Sequence, residues 1–151
     1  MKLFSFCAGL LLLAVGPASC GGNFPAVNQA EGQSRASPVT DRASLINKLR
    51  AAGAKVEVVG EVEQPFLSVT GTMIKVQGED VQVFQYTSAK DMEAQAALIS
   101  QDGTAVGTRK IHWIGSPHFF KQGRVLVLYV GQDTKVEKAL EAVLGRQFAG
   151  Q

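Results

Sequence analysis

The feature that most constrains this chain is Val125-Leu126-Val127-Leu128-Tyr129-Val130, six consecutive large apolar residues set between Gly123-Arg124 and Gly131. A short run rich in β-branched residues suits a strand better than a helix. Successive strand side chains point to opposite faces, so such a run has to be covered on both sides. It is expected to be the innermost strand of a sheet, and the chain from about Thr40 onward must supply its neighbours and its covering layers.

Those neighbours can be taken in order. A helix opening at Thr40 or Asp41 places Leu45, Ile46, Leu49 and Ala52 on one face and stops at Gly53. Lys55 to Val62 reads as a strand with Val56, Val58 and Val62 on one face and Glu57 and Glu61 on the other, and Val59 breaks the alternation. Gln64-Pro65 permits a change of direction, Leu67 to Val76 resumes an extended pattern, and Gly78-Glu79-Asp80 turns the chain into Val81 to Tyr86. Ser88 to Ser100 is the second helix, opened by a Ser88/Asp91 capping box. Thr108 to Ile114 is extended, and Gly115-Ser116-Pro117 with the aromatic stretch from His118 to Gly123 forms its long connection to the inner strand. The last helix opens at Asp133 or Thr134, pairs Thr134 with Glu137 as a cap, and buries Val136, Ala139, Leu140, Val143 and Leu144 before Gly145. The order is α-β-β-β-α-β-β-α. Because hairpins dominate, the expected class is α+β: a mostly antiparallel sheet of about five strands with the helices packed mainly on one face. A ferredoxin-like arrangement would require Lys55 to Val62 to be an edge addition.

The start of the chain reads as targeting. Residues 1–19 combine Met1-Lys2 with an uncharged apolar stretch from Leu3 to Val15, the length of a signal-peptide core and shorter than the roughly 20 residues of a membrane span. Pro17-Ala18-Ser19-Cys20-Gly21-Gly22 resembles the lipobox of bacterial lipoproteins, in which small residues precede a cysteine that is acylated at sulfur; Pro17 stands where the pattern carries an aliphatic residue. The alternative is cleavage after Ala18 and simple secretion. Cys7 would leave with the leader, so Cys20 becomes the lone thiol, and acylation is the use an oxidising compartment leaves for it. Residues 20–39, rich in Gly, Asn, Gln, Ser and Pro, are expected to be a flexible lipid-anchored tether, and residues 40–149 a single domain. The expected location is a bacterial membrane surface facing the periplasm or the exterior.

The C-terminal half carries a resemblance. Trp113, Pro117-His118-Phe119-Phe120, Gly123-Arg124 and Val127-Leu128-Tyr129-Val130-Gly131, with Gln64 to Val69 and Val81 to Phe84, resemble a family of small, uncharacterised bacterial lipoproteins over about Leu45 to Gly150. The resemblance implies export and anchoring and carries over no catalytic residues.

Charge and motifs bound the chemistry. Loss of Lys2 with the leader takes the formal charge from +2 to +1, and no basic block stands out, so no nucleic acid is implied. His112 and His118 are the only histidines, too few for a zinc site without further ligands. Ser116 beside His118 invites a hydrolase reading but lacks a G-x-S-x-G elbow. Glu57, Glu61, Glu63, Glu79 and Asp80 mark no opposed carboxyl pair, and Gly103 to Gly107 lacks the lysine of a phosphate-binding loop, so no cofactor and no catalytic residue is assigned. What remains is an aromatic set. Trp113, His118, Phe119 and Phe120, with Tyr129 beside them and Lys121 and Arg124 at the rim, would form an interaction surface for an envelope protein or an apolar ligand if exposed. If buried, they are the core beside the inner strand. The function this supports is a membrane-anchored interaction or binding protein, with a small apolar-ligand carrier as the alternative.

Overall fold

The computed structural model describes residues 37–151. The leader, Cys20 and most of the tether lie outside the described residues. Within them the order is α1 (Arg42–Ala51), β1 (Val56–Val62), β2 (Gly71–Val76), β3 (Glu79–Gln85), α2 (Ala89–Ala96), β4 (Ala105–Val106), β5 (Arg109–Lys110), β6 (Pro117–Gln122), β7 (Val125–Val130), α3 (Thr134–Leu144) and β8 (Ala149–Gly150). The class is α+β, with a wholly antiparallel six-stranded sheet ordered β1-β2-β3-β7-β6-β8 and a separate β4-β5 ribbon.

The apolar run is β7, and it lies inside the sheet, between β3 and β6. Its side chains divide between two cores, as the strand period requires. Val125, Val127 and Tyr129 join Leu45, Ile46 and Leu49 of α1 and Val136, Leu140 and Leu144 of α3 on one face. Leu126 and Leu128 meet Met92 and Ala96 of α2 on the other. Two helices thus cover one face and one helix the opposite face. β3 divides the same way, Val81 and Val83 towards α1 and α3, Phe84 towards α2.

Each helix starts where a side chain can take an orphan amide. Asp41 accepts from the Ser44 amide in a reciprocal capping box, Ser88 from the Asp91 amide, and Asp133, rather than Thr134, from the Lys135 amide. The turn between β2 and β3 is Gln77-Gly78, one residue before the expected position, and both carry positive φ (56° and 97°) as a two-residue hairpin of the primed type demands.

Two expectations are corrected. The hairpin partner of β7 is Pro117 to Gln122, read from sequence as a connection, and not Thr108 to Ile114, of which only Arg109–Lys110 pairs, in the small ribbon. The reason is Gly123. At φ +59° it closes a two-residue turn directly from Gln122 to Val125, so the residues just before it become the adjacent strand. The domain also begins before Thr40: Val39 is fully buried, its amide donates to Gln122 Oε1 (3.2 Å), and the Thr40 carbonyl accepts from the Arg124 amide.

Candidate functional site

β6 positions most of the residues singled out by sequence, and alternation along it decides their fates. Phe119 points to the α2 side and Phe120 to the α1/α3 side; both are fully buried, and His118 is only 6% exposed. Of the two arrangements left open for Trp113, His118, Phe119, Phe120, Lys121 and Arg124, an exposed surface or the core beside the inner strand, the shared surface is not formed. Three of its six members are core, because β6 is covered on both faces. The two cations are committed to different neighbours. Lys121 pairs with Glu93 of α2 and lies 4.9 Å over the Phe148 ring, whereas Arg124 faces Asp41 at the start of α1 (3.6 Å).

His118 organises a polar cluster beside α3. Its Nδ1 lies 2.7 Å from Gln147 Oε1, its Nε2 lies 3.1 Å from the Gly131 carbonyl and 3.5 Å from Glu137 Oε1, and its ring stacks on Tyr129. The Tyr129 hydroxyl accepts from the Asp133 amide (2.9 Å), and burial holds its phenol above the usual range. Gly131 is required here, since the Tyr129 hydroxyl occupies the space a Cβ would take. With both ring nitrogens engaged, His118 ties β6 to the loop before α3 and to the segment after it. An open polar cleft of about 410 Å³ borders the cluster, lined by His118, Gln101, Glu137, Glu141, Arg146 and Gln147 among others.

Ser116 faces elsewhere. It lines a second open cleft of about 380 Å³ with Trp113, Ile114 and Gln132, and its carbonyl accepts from the Gly131 amide. The hydrogen bonds of the His118 ring go to other groups, so the geometry does not assemble a nucleophile and its base. Among the described residues no three His, Cys, Asp or Glu side chains gather as a metal site.

The second cleft holds what remains accessible of the aromatic set. Trp113 is half-buried, fixed by its indole N–H to the Gly103 carbonyl (2.8 Å) and by edge contacts with Phe66 and Phe119. Ile114 next to it is fully exposed. Sequence reasoning passed over Ile114 by placing it in a strand. It also missed Val58 and Val59, which are about half exposed on β1. No family model, curated protein or solved structure matches the chain.

Proposed function

We propose that this chain is an exported bacterial protein, anchored to a membrane through acylated Cys20, whose domain works by binding a protein partner at the Trp113–Ile114 tip. The anchoring part is supported by the uncharged apolar stretch from Leu3 to Val15, the small residues ahead of Cys20 and the presence of Cys20 as the one cysteine after that stretch. Two acyl chains on one residue exceed the marginal membrane affinity of a single chain. The observation that carries the binding part is Ile114: a large aliphatic side chain wholly in water, beside an indole held rigid from behind, at the rim of an open cleft. A rigid aromatic with an adjoining apolar residue is the kind of anchor that loses little conformational entropy on docking.

Two measurements test this. Mass spectrometry of the mature N-terminus is expected to find a diacylated peptide beginning at Cys20; an unmodified peptide beginning at Ser19 refutes anchoring and leaves secretion. Crosslinking in the native envelope is expected to capture a specific protein with the wild type and lose it with Ile114→Asp, a substitution that touches no core residue. An unchanged crosslinking pattern refutes the tip as the docking point.

A further inference from the structure

The two edges of the main sheet are treated differently. On the β6 side the edge is guarded: Ala149–Gly150 pairs with His118 and Phe119, the Phe148 amide donates to the Phe119 carbonyl, and Gln122 is taken by Val39. On the other side β1 runs for seven residues, and Glu57, Val58, Val59, Gly60 and Glu61 are exposed. Among the described residues no strand lies beyond it.

The backbone on that open side can be assigned. Val76 pairs with Glu79 across the two-residue turn, and the Gln77 amide bonds the Lys55 carbonyl. Alternation of the antiparallel ladder then turns the amides and carbonyls of Val56 and Val58 away from β2. Arg50 covers the Val56 carbonyl (3.1 Å), which leaves Val58 offering both groups outward. A register shift between Val58 and Gly60 lies next to it, with Val59 the extra residue. Open concavities flank the strand, about 250 Å³ beside Lys55, Glu57 and Lys75 and about 460 Å³ beside Glu63, Leu67 and Val69.

Charge selects the occupant. Glu57, opposite Lys75, and Glu61, opposite Thr72, lie on opposite faces of β1 rather than on the one face their spacing predicts, because the register shift between them inverts the alternation, and Glu63 follows at its end. Lys75 is itself taken by Asp80 (2.7 Å). We infer that β1 is a strand-addition site for an extended cationic segment of a partner protein, one with two basic residues separated by a short β-branched stretch, so that each cation meets Glu57 or Glu61 while the main chain bonds Val58. This surface is separate from the Trp113–Ile114 tip and does not depend on it.

The test uses the purified full-length chain and a blocked octapeptide in which two lysines flank a short valine–threonine stretch, with a twin carrying glutamates in their place. Titration of the lysine peptide is expected to shift the amide resonances of residues 57–61, and the glutamate twin to bind at least about tenfold more weakly. Glu57→Lys with Glu61→Lys is expected to reverse that preference. Val58→Pro removes an amide that the ladder with β2 does not use, so it is expected to abolish binding while circular dichroism stays native. Ile114→Asp is expected to leave peptide binding intact. Equal binding of the two peptides, unmoved β1 amides, or a chain that elutes as a β1-paired dimer would overturn the inference.

Discussion

Replacing Tyr86 by phenylalanine is expected to leave the protein as stable as the wild type or more so. Tyr86 is 3% exposed, its ring belongs to the α2-side core, and its hydroxyl is shut off from solvent without a hydrogen-bond partner. Ser68 stands near without reaching bonding geometry, and its pull on the phenol is weaker than the effect of burial, which pushes the group from 10.0 to about 12. A buried unsatisfied hydroxyl costs about 1–3 kcal/mol, so removing it while keeping the ring is worth from nothing to about 2 kcal/mol at neutral pH. The alkaline limb provides an independent check. Between pH 10 and about 12 the unfolded phenol ionises while the folded one keeps its proton, so wild-type stability, fully present below pH 10, falls as pH rises. The loss attributable to this residue is at most roughly 3 kcal/mol. Lys75, raised chiefly by its bond to Asp80, and Tyr129, raised by burial, lose stability in the same direction but are common to both proteins, so they cancel in the comparison. Urea melts of wild type and Tyr86→Phe at pH 7 and in steps to about pH 11.5 measure both effects. A variant less stable by more than about 1 kcal/mol at pH 7, with an alkaline slope equal to the wild type, would mean that the hydroxyl has a partner and the reasoning fails.

Leu126→Ala and Leu128→Ala, each emptying a fully buried site of β7, are expected to cost about 2–5 kcal/mol, while His112→Ala on the exposed surface stays within about 0.5 kcal/mol; denaturant melts that found both leucines dispensable would refute the inner-strand assignment. The Asp102 carboxylate accepts from the Ser100 hydroxyl and from the Thr104 amide and hydroxyl, Ser100 being the largest influence, and these bonds hold its pKa down to about 2. NMR titration is expected to show this carboxyl ionising near that value, with the 100–104 turn loosening only as pH falls through it, and an ordinary aspartate midpoint would show that the turn is not held this way.

What was legible in the sequence was what depends on local pattern. The β7 run, the three helices and their start regions follow from side-chain period and capping chemistry, and the structure places them accordingly. What was not legible depends on which strands pair. Pro117 to Gln122 looked like a connection because a proline opens it and a histidine and two aromatics follow; only the Gly123 turn, a feature of one residue, identified it as a strand. The same point decided between the two arrangements left open for the candidate site, since a connection can expose Phe119 and Phe120 but an interior strand cannot. A usable signal was present at Val59. Its break in the alternation of Lys55 to Val62 marks the register shift of β1, and with it the edge. The exposure of Ile114 has no counterpart in spacing, because it arises from the irregular path between β5 and β6.

The seam between β3 and β7 joins the meander of the first three strands to the hairpin that follows α2, pairing Gln85 with Val125 and Val81 with Tyr129. The β2–β3 and β6–β7 hairpins each close over a two-residue turn and can form in microseconds, whereas the seam must wait for the whole intervening segment to be brought into place. Neither half buries both faces of its strands until that happens, so cooperative folding is deferred until β7 is in place. For a chain exported as proposed, such a late, non-local closing step is an advantage. It leaves the polymer threadable through a translocation channel for as long as its central strand remains on the inner side, and it couples the onset of folding to arrival.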